Sequence, residues 1–190
     1  MTTGTAPGAL TCDAVEGRFL QADDVAGLRA QAARAQEAGA GAIFLGEGPL
    51  GDPIVLAAGL SPSVPDVLLG ARLALAPDGR HPAMLARELT SLDLVCGGRS
   101  VLCFTPPFDD RLAEAIALCH ALWRDGEAES EGPHFPVEHA VNLPRPAGAG
   151  SPLIALDLTG GDELPGLLAG AADLLLHPTD DAAVCRVERT

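Results

Sequence analysis

Three short, almost wholly apolar stretches, Ala42 to Leu45, Ser100 to Phe104 and Leu153 to Leu158, most constrain what this chain can fold into. A strand with one wet face alternates polar and apolar residues. These stretches do not alternate, which is the pattern of parallel strands covered on both faces. Between and around them run apolar residues at three- and four-residue intervals: Val25, Leu28, Ala32 and Ala35; then Met84, Leu85, Leu89 and Leu92; then Leu112, Ile116, Cys119 and Trp123. Each series makes one helical stripe. Buried strands alternating with amphipathic helices imply parallel pairing through right-handed crossovers, an α/β architecture.

The punctuation sharpens this. Helices are expected over Asp23 to Ala38, stopped by Gly39 and Gly41, and over Asp52 to Leu60, with Pro53 in the first turn where its missing amide costs least. A strand over Asp66 to Ala76 and the loop Ala76 to Arg80 precede a helix from His81 to Val95, ended by Gly97 and Gly98. Asp109 or Asp110 can cap a helix running to Trp123. Asp125 to Gly150, rich in Pro, Gly and Glu, reads as an irregular excursion with extended pieces at Phe135 to Val137 and Ala140 to Leu143. Beyond the strand at Leu153, a small-residue helix weakened by Pro165 is expected over Asp162 to Ala172, then a strand at Leu174 to Leu176. The tail from Asp180 to Thr190 reads as one or two helical turns. With a first strand near Leu10 to Val15, this makes about six βα units in a single domain spanning residues 1–190.

A net charge of −14, from 26 acidic and 12 basic residues, argues against nucleic-acid and anionic membrane partners, because no basic run exists to offset the repulsion. The five cysteines are widely spaced and include no CxxC pair, as expected of reduced thiols in a cytoplasmic protein. No segment has the roughly 18 uninterrupted apolar residues of a membrane span.

From about Ala38 to Pro146 the order of short motifs resembles the luciferase-like oxidoreductases. The segment Ala38-Gly39 followed by Ala42-Ile-Phe-Leu-Gly-Glu47 is similar to the family's second strand and its closing glutamate, and Asp52-Pro53 to the next helix start. Arg80-His81-Pro82, Leu85-Ala86-Arg87-Glu88, Leu92-Asp93-Leu94 and Gly97-Gly98-Arg99 form the most specific stretch. Leu122-Trp123, Glu131-Gly132, Phe135 and Leu143-Pro144-Arg145-Pro146 follow in family order. The resemblance implies a TIM-type barrel, incomplete at about six units where eight close such a fold, and a cofactor of FMN or F420 acting on a small organic substrate. Two departures stand out. Glu47-Gly48-Pro49 replaces the family's frequent Glu-His, and Cys103-Phe104-Thr105-Pro106-Pro107 replaces a glycine-rich run beside the flavin.

Active sites of such barrels lie at the carboxyl ends of the strands, which selects Glu47, Ala76 to Arg80, Thr105 and Asp157. Glu47 is the acid or base candidate; its alternatives are a solvated carboxylate or an ion pair with Arg72 or Arg80. Asp157 interrupts an apolar strand and is costly to bury without a cation or backbone amides beside it. Arg80, Thr105 and Phe104 are the expected cofactor contacts. His81 at a helix start is expected to cap or pack, and Arg99 to anchor a turn. No metal site is expected: His134 and His139, with Glu131 and Glu138, match no ligand spacing.

Two functional readings stay open at this point. One is a flavin- or F420-dependent oxidoreductase or monooxygenase. The other is an inactive relative that binds a small ligand or serves as a partner subunit, because strands seven and eight, whose loops commonly hold the cofactor phosphate, are not expected. An open barrel edge would need covering, so a homo-oligomer is expected.

Overall fold

The computed structural model describes residues 14–77, 79–148 and 152–190. The chain runs β1 (Ala14–Leu20), α1 (Val25–Glu37), β2 (Ala42–Gly46), α2 (Pro53–Leu60), β3 (Leu68–Ala74), α3 (Pro82–Cys96), β4 (Ser100–Thr105) and α4 (Asp110–Asp125). A hairpin, β5 (Glu127–Ser130) and β6 (Val137–Val141), precedes β7 (Leu153–Asp157), β8 (Leu174–Pro178) and β9 (Val184–Arg189). Short polar side chains start the helices: Asp24 accepts from the Gly27 amide at 2.6 Å, Asp52 from Ile54 at 2.8 Å and Asp109 from Leu112 at 3.0 Å. His81 also caps, its Nδ1 accepting from the Ala83 amide at 3.2 Å. Gly97 and Gly126, at φ of 68° and 81°, end α3 and α4 in the left-handed conformation that costs glycine least.

The strands form a closed barrel in the order β1-β2-β3-β4-β7-β8-β9, with β5 and β6 paired apart from it. The first six barrel strands are parallel neighbours, and β9 pairs antiparallel with both β8 and β1. The α/β barrel with fewer than eight βα units is therefore present, but its edge is not open. Val187 stands opposite Leu176 on one side and Val15 on the other. The reason for expecting an exposed edge is thereby removed. The tail is a strand, not helical turns, and its alternation is plain in retrospect: Cys185 and Val187 are fully buried while Arg186 between them is exposed. Over Asp162 to Ala172 only a 3-10 turn forms, at Gly166–Leu168. Pro165 withholds an amide, and Gly161 and Gly170 take φ of 85° and 74°, which helical backbone does not allow. The expected first strand falls partly on Leu10 to Asp13, outside the described residues; Ala14 and Val15 begin β1.

Alternation along each strand divides the core in two. Phe44, Leu68, Val101, Cys103, Ala155 and Leu176 are among the residues that fill the barrel, whereas Ile43, Leu69, Leu102, Phe104 and Leu156 pack outward under the helices. The stretch from Arg80 to Arg99 frames this shell. Asp93, fully buried, accepts from Ser100 Oγ at 2.7 Å and from the Ala147 amide at 2.8 Å. Arg99, 6% exposed, donates to the carbonyls of Val64 and Val67 at 2.9 and 2.5 Å. The excursion is tied down as well, because Glu114 accepts from the amides of Phe135 and His134 at 2.7 and 3.1 Å.

Asp173 clamps the start of β7 by accepting from the Ile154 amide at 2.8 Å, and it faces His120 at 3.8 Å. Burial alone would push its carboxyl up, but the bonds from His120 and Ile154 and the charges of His120 and Arg189 hold it below the ordinary range. A carboxyl whose pKa is lower folded than unfolded contributes stability above the unfolded value, and loses it as pH falls through the folded one. The melting-temperature gap between the native protein and Asp173→Asn is therefore expected to be full at neutral pH and to shrink below about pH 4. A gap that stays constant down to pH 3 would show that the ionised Asp173 contributes nothing.

Candidate active site

Parallel strands share a direction, so their last inward side chains meet at one end of the barrel. The inward series are Gly17 and Phe19 on β1, Phe44 and Gly46 on β2, Gly70 and Arg72 on β3, Cys103 and Thr105 on β4, and Ala155 and Asp157 on β7. At that carboxyl-end mouth lies a cleft of about 500 Å³, lined by Phe19, Glu47, Leu50, Leu56, Arg72 and Ala183 among others. Its size is ordinary for a small-molecule site. The β8–β9 connection supplies one wall through Ala182 and Ala183.

Arg72, which lines the cleft, pairs through Nε with Asp157 Oδ2. Asp157 is 1% exposed; its other oxygen accepts from the Thr159 amide at 2.9 Å and from Thr159 Oγ1 at 2.5 Å. Asp157 thus has both a cation and a backbone amide beside it, as its burial demanded. The Arg72 side chain is 37% exposed, and its guanidinium carbon sits 5.2 Å from the centroid of the Phe19 ring, within cation–π range. Below the pair lie Cys103 and Cys185. Burial, reinforced by the charge of Asp157, pushes both thiols up, that of Cys185 to about 12. Neither is a nucleophile near neutral pH, and Cys103 packs as a small apolar side chain.

Glu47 stands exposed at the rim, between the cleft and a smaller hollow of about 210 Å³ lined by Leu75, Ala76, Gly79, Arg80 and Leu85. It pairs with neither arginine: Arg72 goes to Asp157, and Arg80 goes to Asp52 at 2.5 Å and Glu88 at 2.9 Å. Two carboxylates thus already engage the Arg80 guanidinium. Thr105 ends β4 on the inward parity, whereas Phe104 is fully buried in the outward shell. Asp78 of the Ala76 to Arg80 loop lies outside the described residues. The fold therefore gathers Glu47, Asp157 and Thr105 toward one mouth and keeps Phe104 away from it. His81, besides capping α3, meets the Phe135 ring edge-on at 5.4 Å. His134 faces Asp110 at 3.3 Å.

Arg72 was the residue to look for. Its sequence signal is a charge at an inward position of a buried strand, the same signal that marked Asp157.

No family model and no curated protein matches the sequence. Solved structures do. The chain is similar to the coenzyme F420-dependent tetrahydromethanopterin reductase of Methanopyrus kandleri, with 17% identity over 78% of this chain and 51% of that one, at a TM-score of 0.62. It is similar to the EDTA monooxygenase of Chelativorans sp. BNC1, with 20% identity over 80% and 46% of the two chains, at 0.65. An F420-dependent secondary alcohol dehydrogenase, solved with an F420-acetone adduct, matches with 15% identity over 74% and 51%, at 0.61. The chain spans about half the length of these structures. Its fold is the α/β barrel that these structures share, the architecture that the motif resemblance implies. Among the described residues no helix is long and apolar enough to cross a membrane.

Proposed function

We propose that this chain is a divergent luciferase-like oxidoreductase, in which a flavin or F420 cofactor and a small organic substrate meet at the barrel mouth. The observation that carries the reading is the cleft itself: it opens at the carboxyl end of this fold's strands, and it is lined by Arg72, whose guanidinium is held by the buried Asp157. The residues present fit a flavin-like ring system. Leu20, Ala22 and Pro49 offer apolar surface, and Gln21 and Gln31 lie beside them with polar groups for a heterocycle's edge. When bound, such a cofactor supplies hydride transfer or oxygen activation. The chain's own residues orient the substrate through Arg72, hold Arg72 through Asp157, and shield the site from water with Phe19. Glu47 takes or gives a proton at its carboxylate. Thr105, on the inward parity at the end of β4, is the proposed contact to the cofactor. The reading includes a cytoplasmic setting, where buried thiols stay reduced, and a homo-oligomeric state, which with the edge closed rests on the exposed apolar side chains Val55, Met84 and Val95 of α2 and α3; a monomer by light scattering at micromolar concentration counts against the latter.

Titration of the full chain with FMN and with F420, oxidised and reduced, tests the proposal by absorbance and fluorescence. Saturable binding of either supports it, and binding of neither at about millimolar cofactor overturns it. Glu47→Gln is then expected to lower turnover about 100-fold or more, the scale of general acid–base catalysis. Unchanged turnover would remove Glu47 from the mechanism.

A further inference from the structure

We propose that the cleft takes its organic ligand by a carboxylate, docked on the free edge of the Arg72 guanidinium, with the ligand's apolar body along Phe19, Leu50 and Leu56. The inference rests on the preceding reading of the mouth as the substrate side of the site. Arginine presents five N–H donors in a planar fork, and two of its faces can each meet an oxyanion. Asp157 takes the Nε side. The two terminal nitrogens meet no acceptor among the described residues and are not buried, although Arg72 lines the cleft. The fork is also held in place. Thr159 fixes Asp157 through two hydrogen bonds, Asp157 fixes Nε, and the Phe19 ring backs the guanidinium at 5.2 Å. A donor edge fixed before the ligand arrives loses little freedom on binding, and a planar carboxylate matches it with two parallel bonds.

Charge selects a monoanion over phosphate. Asp157 already balances Arg72, Glu47 adds a negative charge to the same cleft, and the whole chain carries −14. A second negative charge on the ligand would meet a repulsive field. Glu47 directly follows Gly46, the β2 register partner of Arg72, so its charge disfavours a second anionic group beside the docked carboxylate.

The test compares benzoate and hexanoate with benzamide and hexanamide, alongside inorganic phosphate, by calorimetry and by chemical-shift mapping on the full chain. Each carboxylate is expected to bind at least about tenfold more tightly than its amide, a difference of about 1.4 kcal/mol, and to shift resonances of Arg72 and Phe19. Arg72→Lys, which keeps the charge but loses the fork, is expected to abolish most of that preference. Arg186→Met, at an exposed cation on β9, should leave it intact. Equal binding of amides and carboxylates to the native protein overturns the inference, whether or not the variant folds. Phosphate binding as tight as that of the carboxylates overturns the assignment of the anion. Carboxylate binding without any FMN or F420 binding would sink the oxidoreductase reading and leave this inference standing; cofactor binding without carboxylate preference would do the reverse.

Discussion

Gly70→Ala is expected to cost the protein about 3 kcal/mol, the upper end of the range for overfilling a packed core, and to lower its melting temperature by about 10 °C. Gly70 sits on β3 directly opposite Phe44 of β2, both facing the barrel interior. A methyl group there would fall inside the contact radius of the Phe44 ring. The ring is fully buried in the barrel interior. Its far side is equally crowded, since a side chain at Gly17 would meet Cys185 Sγ at 2.7 Å and Phe44 itself at 3.1 Å. Phe44 therefore occupies the volume that two glycines leave, and in a seven-stranded barrel too narrow for large side chains from every strand one ring fills this part of the interior. The check is urea unfolding of Gly70→Ala, Phe44→Leu and the double variant. Each single change should destabilise, the first by crowding and the second by a cavity, and the double variant should lose clearly less than their sum. A Gly70→Ala variant within about 0.5 kcal/mol of the native protein would show that the ring relaxes freely.

How far the sequence carried can be seen element by element. β2, β4 and β7 were legible because burial on both faces leaves a local mark, an unbroken apolar run. The helices α3 and α4 were legible because three-four spacing, a capping residue and a terminal glycine agree. β9 was not. Its alternation of Cys185 and Val187 with polar residues is only six residues long, and its meaning depends on closing against β1, more than 160 residues earlier in the chain. The Asp162 to Ala172 segment misled because small residues suit a helix, while Pro165 and the glycines around it suit a turn; the backbone constraints won. The site divided in the same way. Asp157 announced itself as a charge in an apolar strand, a local anomaly. Its partner Arg72 lies 85 residues away, and the pair exists because β3 and β7 both flank β4. Arg80 to Arg99, the stretch that most resembles the family, holds the frame: Asp93 and Arg99 make buried bonds within it, and Arg80 is engaged by two carboxylates.

The two halves of the Arg72–Asp157 pair are expected to respond unequally. Arg72→Met should cost about 3–5 kcal/mol, because it strands a carboxylate that is 1% exposed with only Thr159 to satisfy it. Asp157→Asn should cost about 1 kcal/mol, since the guanidinium is 37% exposed and can be solvated through the cleft, where screening weakens what the pair contributed. Replacing both, as Arg72→Met with Asp157→Leu, should recover most of the loss and can equal or exceed native stability, because two charges no longer have to be held out of water. Urea unfolding of the three variants measures this, and equal losses for the two single changes would refute the asymmetry. The double variant carries the argument furthest. If an apolar pair folds as well as the ionic one, the charges are not there to hold the barrel together. Their position, on inward residues at the ends of two strands and facing the cleft, then has its explanation in what the cleft binds.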